Sequence, residues 1–153
     1  MPFHFAYGSN MDLDQLIERC PSANFLCPAQ ARDHRLVFTR FSTKRKSGVA
    51  DITVSRGASV WGAIFEMTDH DATKLDQKEG VFLNPPAYRR VSLTVLKNGA
   101  PQNTLETFSY QVVEPAIQPI KPSAEYMKLI INGAIRWKLP SDYIEELQRI
   151  EVA

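Results

Sequence analysis

The sequence predicts an α+β fold in which a small, closed or nearly closed β-sheet is flanked by helices. Strand-like segments follow one another between residues 24 and 67 and again between 88 and 113, where an α/β chain would alternate strands with helices. Helical patterns stand apart from these segments, near the N-terminus, between the two strand groups and at the C-terminal end. At 153 residues and 44% hydrophobic content the chain can bury a core by itself, so residues 1–153 are read as a single domain. Closing the sheet removes the edges that the expected six or seven short strands would otherwise expose.

Phe3-His4-Phe5-Ala6-Tyr7 is short and aromatic and runs into Gly8-Ser9-Asn10, the composition of a strand entering a tight turn. Asp12 or Asn10 then caps a helix with Leu13, Leu16, Ile17 and Cys20 at helical spacing, and Pro21 stops it. Alternation and β-branched content predict strands at Asn24–Ala31, Arg35–Phe41, Val49–Ser55 and Val60–Met67, with turns at Asp33-His34, Ser42–Gly48 and Arg56-Gly57. Thr68-Asp69-His70-Asp71 resembles a capping box, so a helix over Asp69–Gln77 ends before Gly80 and delivers Glu79 into a loop.

Tyr88–Leu96 and Thr104–Val113 read as a hairpin across Asn98-Gly99. The prolines of Glu114–Pro122 make it an extended connector. Ser123 caps a helix to about Trp137, with Tyr126, Ile130, Ala134 and Trp137 on one face. Pro140-Ser141 starts a last helix carrying Tyr143, Leu147 and Ile150. The aromatic residues of these C-terminal helices serve the core or a homodimer interface equally well.

Eighteen Lys and Arg against 17 Asp and Glu leave a net charge of +1, too little to require a nucleic acid or a membrane surface as partner. Cys20 and Cys27 cannot build a disulfide framework or a cysteine-rich zinc site, and a reducing cytoplasm fits them best. No apolar run approaches the roughly 20 residues that span a bilayer, and Met1–Phe5 lacks the basic start of a signal peptide, so the expected location is cytoplasmic. His4, His34 and His70 have no carboxylate or Cys at ligand spacing, so no metal is expected. Tyr7-Gly8-Ser9-Asn10 lacks the G-x-S-x-G frame of a serine hydrolase. Between Arg32 and Arg56 the basic residues Arg32, Arg35, Arg40, Lys44, Arg45, Lys46 and Arg56 stand against Asp33 and Asp51, with Phe38 and Phe41 interleaved; they read as a solvated loop face, with a phosphate grip as the alternative.

Two features remain. The Tyr7–Asn10 turn brings backbone N–H groups and a helix start toward a ligand, an arrangement suited to a carboxylate or an oxyanion. Glu79 lies between the polar Asp76-Gln77-Lys78 and the apolar Gly80-Val81-Phe82-Leu83, where partial desolvation raises a carboxyl pKa toward the range of acid/base catalysis. By spacing alone, an ordinary glycine turn and a solvated helix-end glutamate account for both.

Together and in this order, the motifs resemble the γ-glutamylcyclotransferase family. The likeness runs from Phe5-Ala6-Tyr7-Gly8-Ser9-Asn10 through Pro21-Ser22-Ala23, Val60-Trp61-Gly62, Leu75-Asp76 and Glu79-Gly80-Val81 to Tyr126, Leu139-Pro140, Tyr143 and Ile150-Glu151. It implies a mixed-direction β-barrel with a ligand cavity at its mouth, and cyclisation of a γ-glutamyl amino acid or amide to 5-oxoproline with release of the amine. No metal or organic cofactor is implied. By the same resemblance Glu79 is the general base and acid, while Tyr7, Gly8, Ser9, Asn10, Tyr88, Tyr110 and Tyr126 bind the small γ-glutamyl substrate. The turn meets either the substrate α-carboxylate or the developing oxyanion; for Tyr7 and Tyr110 a buried, internally bonded hydroxyl is an equal reading. The loop Val81–Tyr88 is longer and richer in proline than the common family pattern and is expected to bear on the leaving group. A γ-glutamylamine or a γ-glutamyl-acylated metabolite is the alternative substrate, and a non-catalytic carboxylate binder is the alternative class.

Overall fold

The computed structural model describes residues 1–153. In chain order it contains β1 (Phe3–Ala6), a 3₁₀ turn (Ser9–Met11), α1 (Leu13–Arg19), β2 (Asn24–Ser42), β3 (Ser47–Glu66) and α2 (Asp69–Lys78). There follow β4 (Tyr88–Lys97), β5 (Thr104–Val112), α3 (Ala124–Arg136) and α4 (Ser141–Gln148). The strands close into a barrel in the order β1-β3-β2-β4-β5. β1 is antiparallel to β3 and parallel to β5, which makes the barrel mixed; the other neighbours are antiparallel.

Five strands stand where six or seven were expected, because two pairs of predicted strands are continuous. The residues that read as turns, Asp33 and Gly57, form a bulge within the β2–β3 ladder. Both have positive φ (58° and 85°), the register shifts between Arg32 and His34, and Gly57 N–H donates to Asp33 Oδ1 at 2.9 Å. A bulge bends a long hairpin without ending it, so these two strands sweep from the barrel out over its mouth.

The helices start where the caps predict. Asp12, Thr68 and Ser123 side chains accept from the N–H groups of Gln15, Asp71 and Tyr126, each satisfying a donor that the first turn leaves free. On α1, Leu16 and Cys20 are buried, but Ile17 is 38% exposed and does not share their face. The aromatic residues of α3 and α4 pack into the core. Trp137 stacks on Phe25 with centroids 4.1 Å apart and donates its indole N–H to Met11 O at 2.8 Å, and Tyr143 is buried. The core of 30 buried residues joins the barrel interior, around Phe5, Ile64, Phe65 and Val95, to the helices through Met11, Leu16 and Ile130. No helix is long and apolar enough to cross a membrane.

The edge of β3 facing the mouth pairs with β1 only over Ala63–Glu66. Upstream, side chains replace the missing strand: Tyr88 Oη donates to Ala50 O at 2.8 Å, Gln111 Nε2 donates to Ile52 O at 3.0 Å, and Asp51 Oδ1 accepts from Val112 N–H at 3.0 Å. These bonds satisfy backbone groups that burial would otherwise leave unpaired. The connector 114–122 is extended, as its prolines predict, and lies along β2: Ala116 and Ile120 N–H groups donate to Thr39 and Phe38 carbonyls, and Gly48 N–H donates to Lys121 O. The tip of the β2–β3 hairpin is thereby fixed over the barrel mouth.

Candidate active site

Glu79 owes its direction to the way α2 ends. Gly80 adopts φ of 72°, Gly80 N–H donates to Gln77 O and Val81 N–H reaches back to Asp76 O, the paired bonds of a Schellman stop. The chain turns sharply after Glu79, whose side chain, 18% exposed, enters the wall of a cavity of about 980 Å³. Gly80 makes this possible because a left-handed φ is costly for any residue with a Cβ.

Asn10 meets Glu79 from the other side. The turn after β1 carries the buried Asn10 amide to Glu79, and its Nδ2 donates to Glu79 Oε1 at 3.0 Å. The opposite end of the amide, Oδ1, accepts from Arg19 Nη1 at 3.0 Å and from Gln15 Nε2 at 3.2 Å. His4 closes the set: Nδ1 lies 3.1 Å from Phe108 O, and Nε2 faces Asn10 Nδ2 at 3.5 Å. The carbonyl can only accept, so His4 carries its proton on Nδ1 and presents a lone pair to Asn10. Burial lowers the His4 pKa to about 4, which keeps the ring neutral in that role.

Burial is also the main influence on Glu79 and raises its pKa above the usual carboxylate value. The Arg19 guanidinium, 3.9 Å from Oε1, the Asn10 hydrogen bond and the charge of Arg45 oppose the rise. The net effect is a carboxylate more basic than a solvated one.

All four tyrosines expected at the site line the cavity, and three have committed their hydroxyl hydrogens. Tyr7 donates to Tyr110 O at 2.5 Å, Tyr88 to Ala50 O at 2.8 Å and Tyr110 to Asp76 Oδ1 at 2.6 Å. Tyr126 Oη instead accepts from Ala50 N–H at 3.0 Å, so its hydrogen is not given to the backbone. Burial pushes all four pKa values up, that of Tyr126 to about 12, and holds the ring hydroxyls protonated. Gly8, Ser9 and Asn10 also line the cavity, and a Cβ on Gly8 would stand 3.2 Å from the Ala50 Cβ. The bonds within the turn run from Met11 and Asp12 N–H to Gly8 and Ser9 carbonyls, so the N–H groups at its start have no partner inside it.

The hairpin tip completes the wall. Arg45, half-buried, donates from Nη2 to Gln15 Oε1 at 2.6 Å and lies 5.3 Å from the Tyr126 ring centroid. The expectation of a solvated basic face therefore needs correction at Arg45: the hairpin folds over the mouth and draws this side chain inward.

The family model described as the AIG2-like family matches residues 59–147. Gamma-glutamylcyclotransferases of Mus musculus and Homo sapiens are 34% and 33% identical to the chain over 152 residues, covering 97% of it and 78% of each relative. A solved gamma-glutamyl cyclotransferase structure superposes with a TM-score of 0.90 at 31% identity, over 99% of this chain and 89% of that one. The chain belongs to the γ-glutamylcyclotransferase family. As an enzyme of that type it has the closed mixed barrel that the resemblance implied.

Within this γ-glutamylcyclotransferase fold the turn and Glu79, 69 residues apart, stand in direct contact. Four residues of the wall were not expected there from the sequence: Gln15 and Arg19, His4, which was weighed only as a metal ligand, and Arg45, which was read as part of the basic loop. Gln15 and Arg19 did leave a signal, being polar residues four apart on α1, beside the buried Leu16. Cys20 and Cys27 take no part. Burial raises both thiol pKa values, and Cys20 donates to Asp71 O within the core.

Proposed function

We propose that the protein is a cofactor-independent cyclotransferase that converts a γ-glutamyl amide to 5-oxoproline and a free amine. The observation that carries this reading is the Asn10–Glu79 hydrogen bond of 3.0 Å in the cavity wall, which fixes one basic carboxylate beside a set of backbone donors. The substrate α-nitrogen attacks its own γ-carbonyl carbon. A new C–N bond closes the five-membered ring, and the bond to the departing amine breaks. Over the cycle one proton passes from the attacking nitrogen to the leaving nitrogen, and Glu79 takes it and returns it.

Both reacting groups belong to one molecule, so no covalent enzyme intermediate is required. The enzyme's main task is to hold the substrate in a near-attack conformer, an effect worth about 7–11 kcal/mol in well-oriented intramolecular reactions. The N–H groups of Gly8, Ser9 and Asn10 support the substrate α-carboxylate or the oxyanion formed at the γ-carbon. Tyr126 offers its uncommitted hydroxyl hydrogen beside them.

The test is release of 5-oxoproline from a γ-glutamyl-amino acid by the wild-type protein and by Glu79→Gln. Loss of general acid/base catalysis typically costs about 10²–10⁴-fold in rate, and that loss is expected here with unchanged thermal stability. Activity of Glu79→Gln comparable to wild type would overturn the assignment.

A further inference from the structure

The following rests on reading the cavity as a γ-glutamyl site and concerns the half of the substrate that leaves. With the γ-carbonyl between Glu79 and the Tyr7–Asn10 turn, the departing amine extends toward the mouth. There the wall is the hairpin tip, with Arg40, Lys44 and Arg45 among its lining residues, while Glu18 and Glu79 are the acidic side chains lining the whole cavity.

None of these three cations is neutralised by the protein. The ion pairs are Arg19–Glu79, Lys74–Asp71, Arg90–Asp76, Lys121–Glu151 and Arg149–Glu145, and none includes the hairpin tip. Arg45 is nevertheless held in place, by Gln15 and over the Tyr126 ring. The guanidinium of Arg40 is close enough to Tyr88 for its charge to oppose the rise in that hydroxyl's pKa. The tip itself is anchored at its base by Gly48 N–H to Lys121 O and by Ser123 N–H to Ser47 Oγ at 2.7 Å. A basic loop that served only solubility would need neither a positioned arginine nor a fixed place over the cavity.

We propose that Arg40, Lys44 and Arg45 form a leaving-group subsite that reads the number of carboxylates on the departing amine and favours a dicarboxylic amine over a monocarboxylic one. The negative charge of the leaving half supplies the ion-pair partner that these three side chains lack, and the guanidinium groups donate to a carboxylate in a paired geometry. The γ-glutamyl half is common to all such substrates, so the rim discriminates among them without altering the bond that breaks.

The experiment compares kcat/KM for γ-glutamyl-glutamate, γ-glutamyl-alanine and γ-glutamyl-butylamine at low and at high ionic strength. The expected order is that of leaving-group charge, with about fivefold per added carboxylate at low salt, the upper range for partly exposed charge pairs. The order should narrow as salt screens the rim. Replacing the three residues by Gln should collapse the spread to under about twofold, chiefly through KM of the acidic amides. Arg40→Gln and Lys44→Gln change exposed side chains, and each alone should narrow the spread, so the proposal stays falsifiable if the triple variant fails to fold. Equal kcat/KM for the three amides, or a ranking that survives in the variants, overturns the subsite and leaves the reaction intact. Absence of 5-oxoproline from all three overturns the reaction itself.

Discussion

At the inner wall of the cavity, Glu79, Asn10, Arg19 and His4 are linked to one another by hydrogen bonds and an ion pair; at the rim, Arg40 and Lys44 enter no ion pair at all. One side chain joins the two regions. Gln15 Nε2 donates to Ser9 Oγ and Asn10 Oδ1, and its Oε1 accepts from Arg45. The inner wall is therefore organised without a ligand, as the proton transfer proposed for Glu79 requires, whereas the rim in this proposal is completed by the leaving group. Changes at the inner wall should alter the rate and its pH dependence; changes at the rim should alter which substrate is preferred.

Asn10→Ala is the strongest way to break this division. It removes the donor to Glu79 Oε1 and the acceptor of Arg19 and Gln15 in one step, freeing the carboxylate to leave its position. Misplacement of a catalytic group by about 1 Å costs on the order of 10²-fold in rate, and a loss of that size is expected in kcat/KM for every γ-glutamyl amide alike. Steady-state kinetics on a neutral and an acidic leaving group would show it. A loss confined to the acidic substrate would mean that Asn10 acts through the rim.

The local structure around the turn and Glu79 was legible, Gly8 after a short aromatic strand and Gly80 after a capped helix, but by spacing alone both had ordinary readings, and it was the family resemblance that singled them out. Tyr126 was placed by the Ser123 cap. His4 was not singled out, since in an alternating strand a buried histidine reads like any other inward residue, and its meaning depends on Phe108, 104 residues away. The strand count failed on Asp33 and Gly57, whose residue types serve a turn and a bulge equally well. The basic hairpin read as solvated because the charged stretch is short; the fold draws Arg45 in to Gln15 and the Tyr126 ring. Local chemistry fixes the turn and the helix end that carry Asn10 and Glu79, and tertiary closure brings the two together.

Arg19→Gln sharpens the comparison through pH. The Arg19 charge opposes the rise in the Glu79 pKa that burial causes, so removing it raises that pKa further. In the proposed role Glu79 acts as a base only when ionised, and its ionised fraction falls as pH drops through its pKa. The acidic limb of kcat/KM should therefore move to higher pH, with activity lost below the limb and recovered above it. The leaving-group ranking should stay the same. A pH–rate profile measured on one amide decides the matter, and an unmoved or lowered limb would show that Arg19 does not set the acidity of Glu79.

Gly48→Ala tests the rim with the smallest expected effect on the chemistry. A Cβ there would lie 1.9 Å from Ile120 O and 2.7 Å from its carbonyl carbon, so the connector must separate from the hairpin and weaken the Gly48–Lys121 bond. Overpacking of this kind costs about 1–3 kcal/mol, measurable as a lower denaturant midpoint. The hairpin tip shifts with its base and carries Arg40, Lys44 and Arg45 away from the departing amine, while the Asn10–Glu79 contact rests on other elements, the β1 turn and the end of α2. KM for an acidic γ-glutamyl amide should rise about fivefold, the scale of one partly exposed charge pair, with kcat held close to wild type. Equal falls in kcat for acidic and neutral amides would instead show that the rim and the inner wall move as one body.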